Sequence, residues 1–383
     1  MPVLPACWMR GGTSKGLFIH RHALPPPGPE RDRLLLAAIG SPDPYRRQID
    51  GLGGATSSTS KVVIIGPSSR PDCDVDYLFG HVAIDRPLID WSGNCGNLTS
   101  AVGVFAIEEG LVPPAAGGVT EVRVWQENLG QRISVLVPTD PAGGVVTRGD
   151  CRIAGVPGSG APIRLLFHRP GGGPQGSVLP TGRVRETLRV PGLGPVDCSL
   201  VHAGNATVFI TPETLNLEGG ELPAQVDGMN EVLERVEAIR RAAAVEMGLA
   251  GSAEEAAGRP GVPKVAWVSP PRDYVTSQGE RLSAQEMDLC ARIFSLGRLH
   301  HAFTGTGAIA TAVAAAIPGT LVREALGGQR EEGRIRIGHT AGVMEAHAEA
   351  GLEGGRWVAV SAGITRTART LMRGEVPIIL PDG

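Results

Sequence analysis

The sequence predicts an α+β protein built on mixed β-sheets and divided into two similar halves. Three observations carry that expectation. Short runs rich in Val and Ile, bounded by Gly, Pro or Asp, outnumber the segments with helical periodicity. The two kinds of segment do not alternate as a β-α-β series would, which argues against a doubly wound parallel sheet. Two unusually apolar helical segments, one per half, each follow a small-residue turn: Asn94-Cys95-Gly96-Asn97-Leu98-Thr99-Ser100-Ala101-Val102 and Gly305-Thr306-Gly307-Ala308-Ile309-Ala310-Thr311-Ala312-Val313. A helix apolar on every side belongs inside a domain. One per half suggests a duplicated architecture, each half wrapping strands around its own central helix.

Along the chain, strands are expected at Lys61–Ile65, Val119–Trp125, Ile133–Val137, Ile163–Phe167, Val208–Ile210, Val265–Val268, Trp357–Val360 and Val376–Leu380. Helices are expected at Arg31–Ile39, Asn97–Glu109, Asn230–Met247, Ser283–Leu296 and Thr306–Ile317. Pro318, which cannot continue a helix, stops the last of these. In Asn230–Met247, Val232, Leu233, Val236, Ile239 and Ala243 share one face, the mark of a helix lying on a core. Gly- and Pro-rich loops separate these elements, and none forms a long low-complexity linker.

Composition bounds the function. The 383 residues suffice for two domains. An apolar share of 42% excludes global disorder, and 54 glycines without a G-X-Y period exclude collagen. Acidic residues number 39 against 36 basic ones, so no cationic surplus exists to bind a phosphate backbone, and no nucleic-acid partner is expected. The six cysteines are scattered without a C-x-x-C pair and read as free thiols. Met1–His20 lacks a signal-peptide core, and no apolar stretch is long enough to span a bilayer; no membrane association and a cytoplasmic location are expected. The nine histidines form no metal-ligand spacing, so no metal is expected. The Walker, nucleophile-elbow and dinucleotide-binding patterns are also missing.

What remains points to anion chemistry at helix starts. A buried helix opening on a Gly-rich turn leaves its first N–H groups without intrahelical partners, and its dipole favours an anion there. Met9-Arg10-Gly11-Gly12-Thr13-Ser14-Lys15-Gly16 offers further N–H donors and two cations. Cys95 stands at the first helix start, where the dipole favours a thiolate able to exchange protons. Its counterpart in the second half is read as Thr306, so a symmetrical pair of thiols is not present. Lys61 follows the hydroxyl-rich loop Gly53–Ser60 and opens an apolar strand. Desolvation at such a junction favours a neutral amine able to act as a base, although the plainer reading of a lysine there is a strand cap.

Several of these segments together resemble the PrpF family. They are Met9–Gly16, Gly40–Lys61, Asp74–Gly80, Asp90–Leu98 (DWSGNCGNL), Pro180–Gly182, Ser295–Val322 and the tail Ser361–Met372. The resemblance spans essentially the whole chain. It implies a diaminopimelate-epimerase-like fold: two similar α+β domains, each with a sheet around a central helix, and the active site in the cleft between them. The domains would cover 1–185, with 366–383 returning to the first, and 186–365. The family contains aconitate, methylaconitate and methylitaconate isomerases and 4-oxalomesaconate tautomerases.

The resemblance therefore implies an isomerase that moves a proton on a small unsaturated tricarboxylate without a cofactor, by cis–trans or allylic isomerisation, with 2-methylaconitate or aconitate as the leading substrates. The alternatives are a keto–enol tautomerase of the oxalomesaconate type and a non-catalytic accessory of an aconitase-like 2-methylcitrate dehydratase in propionate breakdown. Carried over by motif, Lys61 is the principal base and Cys95 the thiol facing it. Asn94, Gly96 and Asn97 bind one carboxylate, and Thr304, Gly305, Thr306 and Gly307 another. Arg10, Gly12, Thr13, Ser14 and Lys15, with Ser58, Thr59 and Ser60, complete the shell. His202–Ala206 and Gly338–Gly342 depart from the family's pattern, which bears on substrate choice. The family's frequent pairing adds a homodimer to the expectations, and an aconitase-like dehydratase is the expected functional partner.

Overall fold

The computed structural model describes residues 3–327 and 333–380. The described residues through Leu165, with those from Arg366 onward, form one compact unit, and Leu166–Thr365 form the other. This division falls before the expected boundary at 185. The reason is pairing: Gly171 bridges Ala203, and the Val178 N–H donates to the Trp357 carbonyl, so this stretch belongs to the second unit.

In the first unit, β1 (Val3–Gly11) and β2 (Ser14–His20) form an antiparallel hairpin, followed by α1 (Pro29–Ile39). β3 (Lys61–Pro67) runs parallel to β2 and antiparallel to β4 (Val75–Val82), on which the short β5 (Ile89–Asp90) returns. After α2 (Gly96–Glu108), β6 (Val119–Gln126) lies parallel to β4 and forms a hairpin with β7 (Gln131–Pro138). The division between units lies within β8 (Ile163–His168). The C-terminal strand Ala368–Pro377 closes the first unit by pairing antiparallel with β1.

Strand alternation decides what each face covers. Leu17, Ile19, Val62 and Ile64 pack with Leu35 and Ile39 of α1. On the opposite face, the Phe18 ring meets Phe105 of α2, centroids 5.9 Å apart. Every residue of α2 from Gly96 to Ile107 is buried, as an all-round apolar helix requires.

The second unit contains β9 (Glu186–Val190), β10 (Gly194–Ala203), β11 (Asn205–Ile210), α3 (Pro223–Val226), α4 (Asn230–Glu246), α5 (Ala253–Ala257) and β12 (Lys264–Ser269). A small hairpin of β13 (Tyr274–Val275) and β14 (Arg281–Leu282) precedes β15 (Leu289–Ser295), β16 (Arg298–Leu299) and the central helix α6 (Gly305–Ala316). Then come α7 (Leu321–Glu324), β17 (Arg334–His339), β18 (Gly342–Glu353) and β19 (Arg356–Arg366). Its pairings repeat those of the first unit: a hairpin (β10–β11), a parallel neighbour (β12), an antiparallel one (β15), a parallel one (β17) and a closing antiparallel one (β18). α4 sets Val232, Val236, Ile239 and Ala243 against Val208, Ile210, Val265 and Trp267, as its stripe predicts. α6 is buried from Gly305 to Ala315. Duplication extends to single residues: Lys61 opens β3 and Lys264 opens β12, both buried.

One expected helix is corrected. Ser283–Leu296 is not helical: Ser283 caps only the 3₁₀ turn Ala284–Glu286, and Leu289–Ser295 is the strand β15 between β12 and β17. A strand buried on both faces carries no period-2 signal, so its apolar run imitates a buried helix. At the C-terminus, strand pairing ends at Pro377 rather than continuing to Leu380. No helix among the described residues is long and apolar enough to cross a membrane. All six cysteines are free thiols.

Candidate active site

The first unit assembles a buried group of side chains where the hairpin tip, the start of β3 and the start of α2 meet. Cys95 is the N-cap of α2, its sulfur accepting from the Leu98 N–H at 3.5 Å. Lys61, the first residue of β3, donates from Nζ to Ser14 Oγ at 2.9 Å and to Cys95 Sγ at 3.3 Å. Ser14, the first residue of β2, lies 3.9 Å from the same sulfur. All three are buried, and the Phe79 ring centroid stands 5.9 Å from the amine. Burial also pushes the nearby Tyr77 phenol well above its ordinary range, with the Cys95 sulfur adding to that effect.

A second layer locks the hairpin tip to the helix. Gly12 has φ +49°, and a Cβ there would sit 2.3 Å from Asn97 Oδ1, so this turn needs glycine both for its backbone and for its close approach to α2. Asn97 donates through Nδ2 to Thr13 Oγ1 at 3.0 Å and accepts at Oδ1 from Arg366 Nε at 2.8 Å. Burial pushes the Arg366 guanidinium down to about 10, opposed by Cys151 and then Cys95. Arg10 donates to Thr367 O at 2.8 Å, to Thr367 Oγ1 at 3.0 Å and to Gly12 O at 3.1 Å. It fastens the turn to the returning C-terminal chain, and its burial, then neighbouring Arg369, lowers its pKa.

The remaining expected residues of this unit take other parts. Lys15 meets the Ser58 loop through its backbone, its N–H donating to Ser58 O at 2.9 Å. Ser60 Oγ accepts from Gln48, and Thr59 Oγ1 bonds Thr56 within its own exposed loop. These hydroxyls of Ser60 and Thr59 thus bond within the loop that precedes Lys61. Asn94 is buried and accepts from Thr99 Oγ1 at 3.4 Å, while Gly96 begins the helix.

In the second unit, Thr304 is the N-cap of α6, its Oγ1 accepting from the Gly307 N–H at 3.1 Å. The structural counterpart of Cys95 is thus Thr304, not Thr306; aligning the two segments by composition misses the cap by two positions. Gly305 begins the helix. Thr306 Oγ1 accepts from Asn205 Nδ2 at 3.0 Å. A Cβ at Gly307 would meet Ile293 Cδ1 at 2.4 Å, so this start, like the first, is pressed closely against a strand. Among the described residues, no cluster of three or more His, Cys, Asp and Glu side chains could hold a metal ion. Sequence reasoning did not single out Arg366, Asn205 or Gln48. Arg366 lies within the resembling tail Ser361–Met372, but a lone arginine between strand residues carries no local motif.

An amine, a thiol and a hydroxyl in mutual contact at the positive end of a buried helix can hold, give or take a proton beside a bound anion. With the duplicated sheet-around-helix architecture, this defines a sheet-rich α+β protein of two similar units with a proton-handling group in the first. The profile of the PrpF protein family matches residues 1–379. The 2-methyl-aconitate isomerase of Shewanella oneidensis is 47% identical, over 98% of this chain and 97% of that protein. A crystal structure of methylitaconate-delta-isomerase aligns with a TM-score of 0.77 at 38% identity, over 98% of this chain and 96% of that one. A probable proline racemase from Agrobacterium radiobacter, 14% identical with a TM-score of 0.56 over 98% of this chain and 93% of its own, shares the fold alone. The chain belongs to the PrpF family and is an isomerase.

Proposed function

We propose that the protein isomerises a small unsaturated tricarboxylate of the 2-methylaconitate type, with Lys61 as the base. The observation that carries this reading is the contact of Lys61 Nζ with both Cys95 Sγ and Ser14 Oγ at the N-cap of a buried helix. The substrate class follows the 47% identical relative. In its neutral form the amine removes a proton from a carbon conjugated with the substrate's double bond and carboxylates. The C–H bond breaks, an N–H bond forms, and the electron pair spreads into a dienolate. The new charge collects on carboxyl oxygens, where N–H groups at the helix start and the hairpin tip stabilise it; one well-placed donor contributes roughly 3–4 kcal/mol. The ammonium then returns a proton to the far end of the allylic system or after bond rotation; alternatively the Cys95 thiol gives its proton and the ammonium in contact with it reprotonates the sulfur, restoring both groups. Proton transfer of this kind needs no cofactor. The helix start at Thr304–Gly307 is proposed to bind a carboxylate as well. An aconitase-like 2-methylcitrate dehydratase is the proposed supplier of the substrate.

Ultraviolet absorbance, followed with 2-methylaconitate, trans-aconitate and oxalomesaconate in turn, tests the reading. Turnover of the aconitates above the keto acid is expected. Loss of turnover in Lys61→Ala by about 10²–10⁴-fold or more is also expected. A fully active Lys61→Ala protein would remove the base assignment, and preferential turnover of oxalomesaconate would shift the activity to a tautomerase.

A further inference from the structure

The hydrogen bonds around Asn97 have a fixed polarity. A guanidinium only donates, so the atom of Asn97 that faces Arg366 Nε at 2.8 Å must be the carbonyl oxygen. The amide nitrogen then faces Thr13, and since it too only donates, Thr13 Oγ1 is the acceptor at 3.0 Å. The Thr13 hydroxyl hydrogen is thereby turned away from Asn97. Asn97 and Arg366 are buried, at 1% and 3% exposure, whereas Thr13 is partly open at the hairpin tip, beside Ser14 and its bond to Lys61. The relay starts at the residue where the chain enters the C-terminal segment of the first unit, and the Gly12 N–H donating to Thr367 O at 2.9 Å holds that segment against the tip.

We propose that Arg366 is a positioning residue that acts through Asn97 to present the Thr13 hydroxyl as a hydrogen-bond donor to a carboxylate of the substrate. This rests on the reading of the site as one for a polycarboxylate. Had Asn97 been free to turn over, Thr13 would donate inward to the amide oxygen and meet the anion with lone pairs. Arg366 selects the arrangement that attracts the anion, without touching it.

The test is the KM effect of Thr13→Val in three backgrounds. In the wild type the loss of a donor to a charged group raises KM about 10- to 100-fold, with kcat changed by less than about threefold. Asn97→Asp keeps the partner of Arg366 but only accepts, so it draws the Thr13 proton inward; there Thr13→Val adds no more than about twofold. In Arg366→Gln, which lets the Asn97 amide take either orientation, the factor is intermediate. Charge repulsion or a merely structural role would leave the Thr13→Val factor the same in all three backgrounds, and that result overturns the proposal. So does an unchanged KM in Thr13→Val alone.

A readout without substrate separates this proposal from the functional reading. In protein labelled with ¹⁵N-asparagine, the side-chain resonance pair that vanishes in Asn97→Asp has one slowly exchanging proton, and Thr13→Val removes that protection. A pair that exchanges as fast as exposed asparagines overturns the relay whatever the activity. Wild-type protein inactive on every acid but showing the protected pair refutes the functional reading alone.

Discussion

Lys61 illustrates how a residue's meaning depends on what stands opposite it. A lysine at the head of an apolar strand is ordinarily a cap; here its amine meets a serine hydroxyl and a cysteine sulfur inside the protein. Cys95 shares its contacts between that amine and the Leu98 N–H, so its contribution divides between chemistry and capping. Cys95→Ser, which keeps a small acceptor at the cap, is expected to lose less turnover than Lys61→Ala, whose loss is about 10²–10⁴-fold or more; steady-state kinetics of the two side by side check this. Gly12→Ala places a methyl group 2.3 Å from Asn97 Oδ1 and forces an alanine to φ +49°, a backbone cost of roughly 1–2 kcal/mol before the clash is relieved. Its expected outcome is a lowered melting temperature together with a raised KM, because the tip must retreat from the helix.

At the scale of elements, the two central helices share a design and differ in their caps. α6 is capped by a threonine hydroxyl at 3.1 Å, α2 by a thiol at 3.5 Å, and sulfur is the weaker acceptor. Thr304→Ala should therefore cost about 1 kcal/mol of stability, and Cys95→Ala less, read as denaturant midpoints at constant slope. Both apolar helices are legible in the sequence because each is apolar on all sides over a dozen residues. β15 is not, because a strand covered on both faces shows the same unbroken run. Its identity follows from pairing with β12 and β17, which no local pattern reports.

At the scale of the whole molecule, long-range closure and buried ionisable groups set the limits of stability. The C-terminal strand Ala368–Pro377 supplies one neighbour of β1, and Arg366 and Thr367 hold the hairpin tip. Ending the chain at Thr365 strips that edge from β1 and removes both anchors. The expected result is an insoluble or unfolded first unit, seen as loss of cooperative melting. In the second unit, burial pushes the His202 imidazole down to about 4, with its ring packed against Gly172. The unfolded chain takes up that proton near pH 6.5 and the folded protein does not until about pH 4, so stability is present above about pH 6.5 and lost as pH falls through that window. The loss is on the order of 3 kcal/mol. His202→Asn should flatten the acid limb of a plot of stability against pH; an unchanged limb refutes the assignment.

The sequence alone determined the duplicated α+β plan, the two buried helices with their Gly-rich starts, and the identity of Lys61 and Cys95 as the residues to watch. The helices and Cys95 are local matters of apolar patterning or of a reactive group beside a helix start, whereas Lys61, at the head of a strand, owes its expected base role to the family resemblance. Only the tertiary structure decided that Ser14 is the hydroxyl meeting the Lys61 amine, that Thr304 rather than Thr306 matches Cys95, that Thr59 and Ser60 turn into their own loops, and that Arg366 fixes Asn97 from more than two hundred and fifty positions away. Such pairings depend on strand register and chain return. These are set by the summed burial of the whole core, and a short window of sequence carries no trace of them.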